Sequence, residues 1–418
     1  MSDIPQIQIL DKKNYFTQAL VSLLDAVPPS PLGDSSLRIR TTVLTISLNT
    51  IANATKSDVL SSWTVYPQPL TTPAPYNDTS KYGCINIWGY GQVIESTFAG
   101  VSKGSYVYGY LPVGTLPFDI TVETRPEVQG HVFATNASRQ HLLAAYNRYI
   151  VHPEEELAGQ IDRKSPTLAF DCAFRVMHES AFVLNKWAYA PNPQDSVPLS
   201  GLHKSFTTES TDLTDAVVLV LAPGSKIALA FAWMLRNERP GAGAAQPKRV
   251  IGVASEHSID FVRGTGFYDE SVLTSEDPES LLASWDVSKD RNVVLLDFGG
   301  RAGAGCRWAS TLKPVYPKFR LAMVGVEVLE GDSGDTTNTA LNLGGVPFNF
   351  SHARDAAIKK CGEVEYFKSV ARSLQSFRQV SIPGFGTQFE EGMEAVLKGY
   401  QAFCLSEARP NVGFVYKV

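Results

Sequence analysis

The chain lacks paired cysteines, basic excess, long apolar runs and a glycine-rich phosphate loop of the common form. Its five cysteines, Cys84, Cys172, Cys306, Cys361 and Cys404, are far apart and odd in number, with no Cys-x-x-Cys and no Cys/His spacing. That argues against a disulfide framework or a zinc site and fits buried, reduced thiols in a cytoplasmic protein. Lys and Arg number 37 against 42 Asp and Glu, a formal net charge of −5. Nucleic acid is therefore not an expected partner. No window holds about 18 uninterrupted apolar residues, so no membrane span is expected. The opening MSDIPQIQIL lacks a basic segment followed by an apolar one, and the closing FVYKV matches no targeting address.

Hydrophobic residues make up 44% and charged residues 19%, with the charges dispersed, so the chain has ample material for a core. At roughly 100–200 residues per domain, 418 residues imply two domains or three. Leu37–Leu48, "LRIRTTVLTISL", alternates and reads as a strand. From Ile85 to Leu111 short β patterns recur with Gly100 and Gly104 at bends, the rhythm of an antiparallel barrel. Ser138–Tyr149 reads as helical, and the polar Pro/Ser-rich stretch around Pro191–Leu213 as a crossing between domains. After Asp215 the rhythm changes. "DAVVLVLA" is a continuous apolar run, as expected for a strand buried on both faces of a parallel sheet. Strands then alternate with helices through "RVIGVAS", "YDESVLT", "RNVVLLDFGG" and "FRLAMVGVEV". The closing "VGFVYKV" reads as a strand able to return to the first domain, and "GDSGD" (Gly331–Asp335) as a turn.

The first apolar strand leads into Pro223-Gly224-Ser225-Lys226-Ile227-Ala228 and then a helix. Dinucleotide folds place three glycines at such a turn, for the bend, the pyrophosphate approach and helix packing. In register, Pro223, Ser225 and Ala228 stand in those places, with Gly224 between the first two. Ser225 can cap the helix, whose free amides and positive dipole end still suit an anion. Lys226 opposes that dipole, which makes more sense beside a phosphate; the competing view is a plain cap and a solvated charge. An NAD site usually ends its second strand with an acid on the ribose hydroxyls. Here Ala254 and Ser255 stand there, with Glu256 adjacent, which favours NADP(H). His257 can reach a 2′-phosphate.

With these pieces in order, the sequence resembles the medium-chain dehydrogenase/reductase superfamily, on its zinc-free quinone-oxidoreductase-like side. Gly89–Pro112, "GYGQVIESTFAGVSKGSYVYGYLP", is similar to a segment of that family's GroES-like domain. "IGVASEHSIDFVRGTGFYDESV" is similar to its second nucleotide-domain strand, helix and third strand. Leu48–Pro67 is similar to the early loop that carries active-site residues. "NVVLLDFGG" is similar to its fourth strand, which implies nicotinamide-side contacts from Phe298 and Gly299. "YNRY" and "HESAFVLNKW" resemble a branch with a Ser/Lys phosphate loop. The resemblance implies an α/β fold, a GroES-like β-barrel domain plus a Rossmann-type doubly wound parallel sheet domain. It places the GroES-like substrate domain at 1–200, completed by 345–418, and the NADP(H)-binding domain at 201–344. It also implies a homodimer by sheet extension. Zinc-dependent members carry Gly-His-Glu where this chain has Trp88-Gly89-Tyr90, so no metal is expected. The tyrosine that zinc-free enone reductases carry early is missing from Asn49–Ala54.

Hydride transfer also needs a proton donor near the reacting carbonyl or α-carbon. Asn53 in the early loop could polarise a carbonyl or simply satisfy a turn. Tyr108 and Tyr110, expected just after the barrel strands, offer phenols, as does Tyr146 beside Asn147; each could equally be aromatic core. His131 and His141 are lone histidines of the acid/base type. The expected function is NADPH-dependent reduction of a small-molecule carbonyl or enone, quinone-like or polyketide-like, in the cleft between domains. A redox-neutral isomerase, lyase or cyclase on the same scaffold is the main rival. A non-catalytic binding protein is the third reading.

Overall fold

The computed structural model describes residues 4–24, 30–55, 62–200, 211–239, 245–325, 327 and 334–418. Part of the early loop, of the Pro/Ser-rich crossing, of the "NERPGAGAAQPK" linker and of "GDSGD" lies outside them. The chain forms two compact units, Met1–Ala173 with Gly386–Val418, and Phe174–Phe385. Residues 174–200 and 345–385, expected in the first domain, therefore belong to the second unit. The helices Phe350–Cys361 and Glu363–Arg378 explain the shift. Both attach within that unit, where buried Arg354 Nε and Tyr366 OH donate to Glu179 at 3.1 and 3.2 Å.

In the first unit, six antiparallel strands close on themselves, because Ser36–Ile46 pairs with both Asn86–Ser96 and Phe118–Glu123. Its interior is apolar, built from Leu37, Ile39, Val93, Val107, Leu111, Ile120 and Val132 among others. Successive residues of a strand face opposite sides. In Tyr106–Pro112, Val107 and Leu111 point inward, so Tyr106, Tyr108 and Tyr110 share the other face. The two tyrosines expected after a strand thus sit within one. The terminal strand Val412–Lys417 pairs antiparallel with Ser36–Ile46, as the sequence suggests. Two further expectations are corrected. The early loop begins as a helix, Leu48–Thr55, because Ile51 and Ala54 recur three apart and bury one face. The stretch 138–149 is not one helix but the short turns Ala137–Arg139 and Ala144–Asn147, followed by a strand from Arg148.

The second unit is built on a six-stranded parallel sheet. Taking its strands in chain order from Val217–Leu221, they lie 3-2-1-4-5-6 across the sheet. Continuous apolar strands such as Val217–Leu221 are buried along their whole length. Trp308, fully buried, anchors one face among Leu219, Ile251, Leu295 and Leu312. This is the expected combination of a GroES-like barrel and a Rossmann-type sheet.

Gly89 lies in the strand Asn86–Ser96, opposite Leu44 of Ser36–Ile46. A Cβ there would collide with the Val43 carbonyl oxygen, which is backbone and cannot move aside. Gly89→Ala is expected to destabilise the protein by about 1–3 kcal/mol in urea unfolding. An unchanged midpoint would show that the strands can separate at no cost.

Candidate functional site

In open sheets of the order 3-2-1-4-5-6, ligands bind beyond the carboxyl ends of the first and fourth strands, where the direction of winding reverses. Leu221 and Asp297, paired in register, end those two strands. Beyond Leu221, Ala222 takes a left-handed φ of +54° and turns the chain. The Pro223 carbonyl accepts from the buried Tyr268 hydroxyl at 2.7 Å, which ties the turn to the segment leading into the third strand. Ser225 is the N-cap of the helix Lys226–Asn237, its Oγ accepting from Ala228 N at 3.4 Å. Gly224 is buried and Ser225 half-buried.

Lys226 is the first residue of that helix and is only 9% exposed. Its ammonium lies 6.0 Å from the Phe385 ring centroid. Burial lowers its pKa to about 8. A desolvated cation at the positive end of a helix is unfavourable in two ways, and an anion in the crevice would relieve both. The solvated-charge view of Lys226 does not describe this geometry.

At the end of the second strand Ser255 is exposed, its Oγ 3.1 Å from the Ser258 Oγ, and Glu256 and His257 are exposed beside it. At the end of the fourth, Phe298 is buried against Phe231, ring centroids 6.0 Å apart, and its N–H donates to the Leu221 carbonyl. Gly299 follows at φ +106°. Its N–H and that of Gly300 donate to Asp297 Oδ1 at 2.9 and 2.6 Å. Burial raises the Asp297 pKa, partly offset by those two amides. The loops carrying Gly224, Ser225, Lys226, Phe298 and Gly299 thus leave neighbouring strands. Sequence reasoning missed Asp297, Tyr268 and Phe385. The first two lie inside segments that carry the family resemblance, but nothing in those segments marks them; Phe385 lies in none.

The first unit holds a separate polar cluster. Tyr110 and Tyr146 stack with centroids 4.4 Å apart and planes 15° apart. Burial raises Tyr110 well above the usual phenol value and Tyr146 to about 12. The Ser62 hydroxyl sits beside both phenols and the Asn53 amide beside Tyr110, each opposing the rise. Ser62 is 3% exposed, and its Oγ makes no hydrogen bond of normal geometry. The structure therefore places Asn53 beside Tyr110, the stacking partner of Tyr146, and adds Ser62, which no motif marks. It groups Tyr108 instead with Tyr90, edge-on at 5.0 Å, and with Trp88 at 6.0 Å. His131 packs edge-on to Phe133, and His141 Nε2 lies 3.3 Å from Thr64 Oγ1. Asn147 is tied to Arg139, accepting from its Nε and donating to its carbonyl.

The chain belongs to the family described as a protein of unknown function, DUF2855, whose model matches residues 44–409. No curated protein matches it. Its fold is similar to that of CurA from Vibrio vulnificus in complex with NADPH, at 11% identity over 99% of each chain with a TM-score of 0.52. It is also similar to a putative NADPH:quinone reductase from Bacillus thuringiensis, at 15% identity over 100% of each chain and 0.52. A mycobacterial protein complexed with NADPH covers 100% of each chain at 13% identity and 0.53. At such identities the likeness establishes the fold alone. Among the described residues, no group of three or more His, Cys, Asp or Glu could hold a metal ion, and no helix is long and apolar enough to cross a membrane.

The burial of Lys226 has a measurable signature. Below pH 8 the ammonium is charged in both folded and unfolded chains, and the fold bears its full desolvation cost. Between about 8 and the ordinary 10.5 the folded lysine is neutral while the unfolded one is still charged, so the cost fades. Lys226→Met is expected to be more stable than the parent at pH 7, by about 1–3 kcal/mol, with the gap closing towards pH 10.5 in thermal unfolding. A less stable variant at pH 7 would show that the ammonium is well compensated without a ligand.

Proposed function

We propose that this protein is an NADPH-dependent, zinc-independent reductase of carbonyl or enone compounds. The observation that carries the reading is the desolvated Lys226 at the head of the helix Lys226–Asn237, beside the switch point of a Rossmann-type sheet. Two structures of the same fold hold NADPH. The residues present fit that group. Lys226 and the free amides of the first helical turn suit a pyrophosphate. Ser255 and His257, both exposed, suit a 2′-phosphate, since no carboxylate stands in the strand-end position itself. Phe298 and Gly299 are assigned to the nicotinamide side.

When bound, NADPH supplies a hydride, and the protein must supply a proton. Tyr146 is assigned that proton, because its phenol stacks on Tyr110 beside the Ser62 hydroxyl and carries its proton at neutral pH. Asn53 and the buried Ser62 hydroxyl are assigned to orient the oxygen being reduced. Tyr108, stacked in an aromatic row, is left a packing role.

NADPH consumption with a panel of enones, quinones and ketones tests the reading. Tyr146→Phe is expected to lower kcat by about 10²–10⁴-fold while leaving NADPH affinity in place. Turnover equal to the parent would remove Tyr146 as donor. Ser255→Asp is expected to move preference from NADPH towards NADH; an unmoved ratio would mean that the 2′-phosphate lies elsewhere.

A further inference from the structure

Arg139 is 5% exposed, in the short turn Ala137–Arg139. Its guanidinium donates from Nε to Asn147 Oδ1 at 3.1 Å and from Nη1 to the Val65 carbonyl at 3.0 Å. Nη2 donates to the Tyr146 carbonyl at 2.8 Å and to the Tyr149 hydroxyl at 3.0 Å. The Tyr66 ring covers one face, 4.7 Å from Cζ. All four of these acceptors are neutral. A buried cation held by neutral acceptors is costly, and such groups concentrate where geometry has to be fixed.

The network has a direction. The Tyr66 hydroxyl donates to the Tyr110 carbonyl at 2.9 Å and lies 2.6 Å from the Tyr149 hydroxyl. A phenol has one proton to give. With that of Tyr66 spent on Tyr110, Tyr149 donates to Tyr66 and accepts from Arg139. The chain runs from Arg139 through Tyr149 and Tyr66 to the Tyr110 carbonyl, each link polarised by the cation at its head. The same guanidinium holds the Tyr146 carbonyl directly. Both members of the stacked pair are therefore fixed through their backbones by one side chain, across a strand and a separate short turn.

We propose that Arg139 is a positioning residue that holds Tyr146 against Tyr110 and so sets where the Tyr146 hydroxyl stands. The proposal rests on the assignment of Tyr146 as proton donor. Lysine keeps the charge but loses the planar fork, so Arg139→Lys should free the Tyr146 carbonyl while the fold survives. Tyr66→Phe cuts only the branch to Tyr110.

The test uses the full chain with 3-fluorotyrosine placed at position 146, read by fluorine NMR, together with enone reduction by the unlabelled variants. In Arg139→Lys the ring signal is expected to shift and broaden. In the same variant kcat should fall by about tenfold or more, while KM and the NADPH dissociation constant stay within about threefold. Tyr66→Phe should give a smaller loss in kcat and a smaller change in the ring signal. A merely structural Arg139 would lower the unfolding midpoint but leave kcat per folded molecule and the ring signal as they were. Either an unmoved ring signal or an unchanged kcat in folded Arg139→Lys overturns the proposal. If the parent protein reduces nothing while the signal shifts, the positioning stands and the reductase reading falls.

Discussion

A charged lysine with almost no access to water is the constraint around which the second unit is arranged. Lys226 stands at the end of a helix where the backbone already presents positive potential, under the ring of Phe385. The arrangement makes physical sense when the crevice at the switch point receives an anion. The neighbouring strand end supports the same polarity from the other side. Asp297 keeps its carboxylate turned into its own loop, bound by Gly299 and Gly300.

The first unit works on another principle. Its barrel interior is apolar and closed, and its chemistry lies on the opposite face of the strand that carries Tyr108 and Tyr110. Alternation along one strand separates the two roles at no cost in packing. Gly109, between those tyrosines, faces inward, where a side chain would collide with the Tyr149 ring. The missing side chain therefore makes room for a phenol that reaches Tyr66 and Arg139. Stacking, buried hydroxyls and a single guanidinium then define the Tyr110–Tyr146 pair more rigidly than any one of them would alone.

The parallel sheet is legible in the sequence because its central strands are unbroken apolar runs, and the run-turn-helix rhythm leaves few other arrangements. The phosphate loop is legible as a position, although its glycines are replaced. The burial of Lys226 is not, since it depends on Phe385, far along the chain in a segment expected to belong to the other domain. Asn53 stands out by its place in an early segment, but its helix does not, because eight residues span little more than two turns. Tyr146 and Tyr108 look alike as candidates, and only the fold shows that Tyr110 is the partner of Tyr146. Stacking across a strand and a short turn leaves no spacing in the sequence. Ser62 and Arg139 match no motif; burial singles out the first and hydrogen-bond direction the second. The unit boundaries differ from expectation for a related reason: a buried ion pair between Glu179 and Arg354 joins segments that composition alone does not connect.

We propose that the turn Ala222–Ser225 and Lys226 form an anion site tuned to NADPH. Calorimetric titration of the purified protein with NADPH, and separately with NADH, tests it most directly. Such a site binds NADPH in the micromolar range and NADH clearly more weakly. Absence of binding to either would contradict it and leave the buried lysine without a ligand to explain it.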